Sequence, residues 1–114
     1  MESTRQQKVS RMLQRELGKY FQQHAREMLP GKMITVTVVR ISPDLGVAKV
    51  YLSIFPLNEK EEPLENIRAN ASSIRFDIGK KIKNQVRSIP EFIYYLDDSL
   101  DYIENIDNLL NEDR

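Results

Sequence analysis

Residues 68–87 hold the densest set of side chains in the chain that could do chemistry. Arg68, Arg75, Lys80, Lys81, Lys83 and Arg87 stand there against a single acid, Asp77. Phe76, Lys80, Lys83 and Arg87 recur at steps of four, three and four, which puts an aromatic ring and three cations on one side of a helix. Cations so placed suit phosphates, and the ring can stack on a base or a ribose, or pack under a neighbouring loop. Just upstream, the small polar run Asn70-Ala71-Ser72-Ser73 reads as a corner between two short helices. A second cationic row, Lys8, Arg11, Arg15, Lys19 and Arg26, is spaced to line one side of an earlier helix. On pattern alone that row is a solvated face or the footprint of an anionic partner, and the lack of an acid in it favours the partner.

The formal charge of the 114 residues is zero, but it is unevenly spread. Residues 1–40 hold eight cations and three acids, whereas residues 91–114 hold eight acids and one cation. A partner is steered by the local field, so neutrality overall does not exclude nucleic acid. The acidic end can instead solubilise the chain or offset its own basic half. Cysteine is absent, which removes disulfides, thiolate nucleophiles and cysteine-built zinc sites. The four glycines, Gly18, Gly31, Gly46 and Gly79, are too scattered for a phosphate loop. His24 falls on the apolar side of the first helix with no base or metal partner near it in sequence, which favours a structural role. Asp97, Asp98 and Asp101 lack the glycine and terminal glutamate of a calcium loop, and helix capping accounts for them. The expectation is a non-catalytic protein without metal or cofactor. There is no long apolar run and the start is polar, so a cytoplasmic location without membrane contact is expected.

The elements that position these residues follow from periodicity. Val9, Met12, Leu13, Leu17, Tyr20, Phe21 and Met28 mark the apolar face of a first helix, with Thr4 and Gln7 at capping-box spacing and Leu29-Pro30-Gly31 as its stop. Residues 33–41 read as a strand with Ile34, Val36 and Val38 inward, and residues 47–55 as a second with Ala48, Val50, Leu52 and Ile54 inward. The short turn Ser42 to Gly46 makes them an antiparallel hairpin. After the acidic loop 58–63 a short helix buries Leu64, Ile67 and Ala71. The helix beyond the corner buries Ile74, Ile78, Ile82 and Val86 and runs on until Pro90 stops it. Residues 91–96 form a third strand, and residues 99–114 an acidic helix with Tyr102, Ile103, Ile106, Leu109 and Leu110 as its stripe. The order α-β-β-α-α-β-α gives one α+β domain over 1–114, with helices on one face of a three-stranded sheet.

Segment by segment, the chain resembles the ribosome-binding factor A family. The strongest pieces are Thr35-Val36-Thr37-Val38 running into Ile41-Ser42-Pro43-Asp44-Leu45, then Ala48-Lys49-Val50-Tyr51-Leu52-Ser53. Ile74-Arg75 with Ile78-Gly79-Lys80, Pro90-Glu91, Asp97-Asp98-Ser99 and the stretch Ile106 to Leu110 follow in order. The family's Ala-x-Gly corner falls on Asn70-Ala71-Ser72, where both signature positions differ and a shallower bend is expected. The resemblance implies a type II KH-like fold and a monomeric assembly factor for the small (30S) ribosomal subunit. It implies action on 16S rRNA late in maturation and rRNA processing, a link to growth in the cold, and release with help from a ribosome-associated GTPase. On that basis Arg75, Lys80, Lys81, Lys83 and Arg87 are expected on phosphates, assisted by Lys8, Arg11 and Arg15, with Asn70, Ser72 and Ser73 at the corner. Two other readings stay open: a KH-like module for single-stranded RNA unrelated to ribosomes, and a protein adaptor working through the acidic last helix or a sheet edge.

Overall fold

Ser3 opens the first helix. A computed structural model describes residues 3–58 and 60–97, so the expected last helix, 99–114, lies outside the described residues. The Ser3 hydroxyl accepts from the Gln6 N–H at 3.1 Å and the Gln6 side chain accepts from the Ser3 N–H at 2.9 Å. The capping box therefore stands one residue ahead of Thr4 and Gln7, because Ser3 still has extended backbone while Thr4 is already helical. The helix, α1, spans Thr4–Met28 and buries every apolar residue the spacing selects. Gln6 is buried with them and donates from Nε2 to the Ile41 carbonyl at 3.1 Å, so its amide is not left unpaired.

Strands β1 (Met33–Ile41) and β2 (Val47–Phe55) pair antiparallel, with the register breaking between Val36 and Val38. That bulge corrects the expected pattern. Val38 is turned outward, while Val39 and Ile41 take the inward places after Val36. Gln14 of α1 donates to the Thr37 carbonyl at 3.0 Å, satisfying a group the bulge removes from the ladder. In β2 the alternation holds from Ala48 to Ile54. The connecting turn is held by Ser42, whose hydroxyl accepts from the N–H groups of Gly46 and Val47 and donates to Asp44. Leu45 sits there at φ 61°, a left-handed conformation that is costly for leucine, with its side chain packed against the core.

Helix α2 (Pro63–Ala69) leads into α3 (Ala71–Ile82), and β3 (Glu91–Leu96) closes the sheet parallel to β2 in the order β1-β2-β3. The break between the helices is confined to Asn70; Ala71, Ser72 and Ser73 form the first turn of α3. Helix α3 also ends earlier than expected. Gln85 donates to the Ile82 carbonyl at 2.8 Å in a turn, and residues 83–88 bend away towards Pro90. Val86 is buried from that turn, not from the helix. Helix α1 lies along β1, with α2 and α3 beside β3, so the helices cover one sheet face. Between the layers Phe21 and Tyr94 meet edge to face with centroids 6.2 Å apart, surrounded by Leu13, Leu17, Leu52, Ile67, Ile74, Ile78 and Ile82. Burial pushes the Tyr94 hydroxyl far above the ordinary tyrosine range. No helix of the described residues is long and apolar enough to cross a membrane.

Candidate nucleic-acid interface

The corner is built from small side chains. The Asn70 amide donates back to the Asn66 carbonyl at 2.7 Å, which terminates α2 and leaves α3 without a side-chain cap. Ser72 and Ser73 are exposed on the first turn of α3, and Asn70 is half-buried.

One turn further on, Ser72, Arg75, Phe76, Gly79, Lys80, Lys83 and Ile89 line an open groove of about 500 Å³. Its apolar side is made by Ile89 packed over Gly79, where an added Cβ would meet Ile89 Cγ1 at 3.2 Å. Phe76 is 64% exposed, so it does not pack under a loop. Lys80 Nζ lies 4.4 Å from the ring centroid, a cation–π contact that holds the ammonium beside the aromatic face. The groove therefore offers a flat apolar surface and ammonium groups within one helix turn. That combination can take a planar, anionic ligand such as a nucleotide.

The expected cations do not all occupy this groove. Lys80 and Lys83 line it, and Lys81 is exposed on the same helix. Arg75 also borders it, but its guanidinium is committed to the fold. Nε donates to the Pro90 carbonyl at 3.1 Å and one Nη to the Ile89 carbonyl at 2.6 Å, pinning the wall of the groove to α3. Arg68 does the same between α2 and β3, donating to the Tyr94 carbonyl at 3.2 Å. Arg87 falls beyond the helix end, so the expected four-residue stripe stops at Lys83. Arg87 instead borders a cavity of about 380 Å³ with Arg5, Pro43, Asp44, Leu45, Val86 and Ser88. Arg5 is a cation sequence reasoning missed, because it precedes the regular row on α1.

Helices α1 and α3 lie antiparallel. Arg5 and Arg87 share a cavity at one end, and at the other burial, followed by the charges of Asp77 and Glu27, raises the Tyr20 hydroxyl above its ordinary value. Lys8, Arg11 and Arg15 are exposed on α1, away from its buried face. Arg15 lies 3.7 Å from its neighbour Glu16. Among the described residues no acid pairs with Lys8, Arg11, Lys80, Lys81, Lys83 or Arg87. Both basic rows are exposed on helices of the layer that covers one sheet face. His24 is half-buried, its ring 4.2 Å from that of Tyr20 and its Nδ1 3.4 Å from Glu27, a structural setting. The expected acid cluster lies mostly outside the described residues; Asp97 itself accepts from the Thr37 hydroxyl.

Known proteins agree with this architecture. The family model described as ribosome-binding factor A matches residues 5–110. The ribosome-binding factor A of Cytophaga hutchinsonii is 44% identical over 112 residues, covering 98% of this chain and 84% of its own. The crystal structure of ribosome-binding factor A from Thermus thermophilus superposes with a TM-score of 0.67 at 22% identity, over 80% of this chain and 94% of that one. A second set of coordinates for the Thermus thermophilus factor, a homology model fitted into a cryo-electron-microscopy map of its 30S complex, superposes with a TM-score of 0.55 at 18% identity, over 76% and 93%. The likeness to these structures carries the KH-like α+β fold.

Proposed function

We propose a function from a fixed premise: the chain belongs to the ribosome-binding factor A family. It acts as a non-catalytic assembly factor that binds the immature small ribosomal subunit through its 16S rRNA late in maturation. The observation that supports this reading best is the exposed row Phe76, Lys80 and Lys83 beside an uncapped helix corner, neither lysine being ion-paired with an acid among the described residues. Lys80, Lys81 and Lys83 contact phosphates, and the Phe76 ring stacks on an unpaired base or a ribose. Lys8, Arg11 and Arg15 add a second row of phosphate contacts across the helical layer. Asn70, Ser72 and Ser73 approach the backbone closely because their side chains are short. Arg75 holds the groove wall and has one Nη left for phosphate, and Arg87 extends the contact towards Arg5. Binding is by shape and charge, with base reading secondary. Each phosphate neutralised releases condensed counterions, so affinity falls steeply with salt. Release is assisted by a ribosome-associated GTPase, and the factor works as a monomer in the cytoplasm.

In-cell crosslinking with mapped RNA sites tests the reading. The expected result is crosslinks concentrated on small-subunit RNA, carried by peptides containing Phe76 to Lys83. Crosslinks on free transcripts without subunit enrichment would support the single-stranded RNA reading. Nuclease-resistant association with a protein alone would support an adaptor.

A further inference from the structure

The cavity bordered by Arg5 and Arg87 is separate from the groove, and three anchors hold its walls. The Gln6 amide, next in the chain to Arg5, donates to the Ile41 carbonyl at 3.1 Å and ties the first turn of α1 to the end of β1. The Glu91 N–H donates to the Gly46 carbonyl at 2.9 Å, which ties the segment after α3 to the β1–β2 turn. Within that turn Asp44 Oδ1 accepts from the Ser42 hydroxyl at 2.6 Å and from the Gly46 N–H at 2.9 Å. Walls fixed in this way leave little ordering to oppose a ligand.

The charged groups around the cavity do not satisfy one another. Arg5 and Arg87 are exposed, and neither is ion-paired with an acid among the described residues, although Asp44 borders the same space. Both bonds to the Asp44 carboxylate fall on one oxygen, so Oδ2 keeps its capacity to accept. The same bonds hold the carboxyl below the usual carboxylate range, so it is charged at neutral pH. Pro43 and Leu45 supply an apolar wall. A volume of about 380 Å³ is at the small end of the ~300–1,000 Å³ typical of small-molecule sites, which suits one nucleotide and not a duplex.

Two guanidinium groups suit a phosphate, whose oxygens they take in pairs. A carboxylate oxygen suits a hydrogen-bond donor instead, and on adenine, cytosine and guanine an exocyclic amino group provides one. Uracil carries only carbonyl oxygens outside its ring, and a carboxylate repels them.

We propose that this cavity holds one unpaired nucleotide of the bound RNA and selects against uracil. Arg5 and Arg87 take its phosphate, Pro43 and Leu45 the face of its base, and Asp44 Oδ2 its exocyclic amino group. The cavity thereby adds, to the RNA-binding reading on which it rests, a point where sequence is read. That point lies at the end of the helical layer, apart from Phe76 and Lys80.

The test titrates the full chain with single-stranded pentanucleotides: all-uridine RNA, and the same RNA with cytidine or adenosine at its centre. Affinity is followed by fluorescence anisotropy and contact by amide resonances, with free CMP as a separate arm. The cytidine and adenosine RNAs should bind at least ~5-fold more tightly than all-uridine RNA, with the signals of Arg5, Leu45 and Ser88 shifting. Asp44→Asn should reverse the preference, because the amide oxygen keeps the bonds to Ser42 and Gly46 while its nitrogen donates to uracil O4. Arg5→Ala with Arg87→Ala should abolish the cavity shifts and leave those of Phe76 to Lys83, the same spectrum showing that the domain is folded. Equal affinity for the three RNAs, a preference that Asp44→Asn leaves unchanged, or shifts confined to Phe76 to Lys83 overturns the proposal while the groove reading stands. Binding of free CMP as tight as that of the RNA overturns the assignment to a strand. Cavity shifts in a protein that fails to sediment with small subunits would overturn the ribosomal reading and leave the nucleotide site in place.

Discussion

The helical layer and the open sheet face present opposite chemistry to solvent although they flank one core. On α1 and α3 lysines and arginines outnumber the exposed acids, and among the described residues Phe76 is the large apolar side chain left open beside Lys80 and Lys83. On the sheet side the exposed groups are Met33, Val38, Phe55 and Tyr95, with Arg40 and Lys49 as an opposed pair. Both surfaces are what a core-forming pattern leaves over: the residues between the buried ones, at a step of about 3.6 in the helices and of two in the strands. A cationic surface with little apolar area has no reason to bury itself against the domain and stays available to phosphate. An apolar surface of this size has every reason to be covered.

The sharpest way to break the contrast is to remove what the two surfaces share. Phe21 is fully buried between them, and Phe21→Ala should cost about 3–5 kcal/mol. A chemical denaturation curve should show a large drop in midpoint, with subunit binding falling only as the folded fraction does.

A smaller effect separates cations that build the groove from cations that face solvent. Arg75→Ala removes two hydrogen bonds to backbone carbonyls and should cost about 1–3 kcal/mol, whereas Lys80→Ala should leave stability within ~0.5 kcal/mol. Arg75→Lys should recover little, because an ammonium does not reproduce the planar fork that reaches both carbonyls. Thermal melts of the three variants check this. Equal losses for Arg75 and Lys80 would place both in the same role.

The smallest expected effect lies at the β1–β2 turn. Hydrogen bonds from the Ser42 hydroxyl and the Gly46 N–H hold the Asp44 carboxyl below the usual carboxylate range. A group depressed on folding stabilises in full above its unfolded value and ceases to do so as pH falls through its folded value. Asp44→Asn should therefore be slightly less stable than the parent at neutral pH, with the gap closing as pH falls through and below the ordinary carboxylate range. Melting temperatures followed over that range test it, and a gap that widens on acidification would contradict the assignment.

Most of the fold is legible from the sequence because most buried residues repeat at the period of their element. The stripe from Val9 to Met28 and the alternation from Ala48 to Ile54 leave no second arrangement with the same burial. Two of the features that escape show why the rest was hidden. The bulge at Thr37 shifts Val38 outward, and its cause is long-range: Gln14 on another element takes up the carbonyl the bulge releases. The early end of α3 is hidden because Val86 continues the apolar spacing from a turn. The site is less legible than the fold. Charge type marks Lys80 and Lys83, but it marks Arg75 equally. Only the positions of the Ile89 and Pro90 carbonyls separate a cation held by the fold from one left for a ligand.

The claim on which the functional account rests is that phosphate binding belongs to the helical layer alone. Sedimentation of purified small subunits with two charge-reversed proteins tests it most directly: Lys80→Glu with Lys83→Glu on the helices, and Arg40→Glu with Lys49→Glu on the sheet. The account predicts that the helical pair lowers affinity at least ~10-fold, with a shallower salt dependence and an unchanged melting temperature, while the sheet pair binds like the parent. Equal loss from both pairs, or loss from the sheet pair alone, would contradict it.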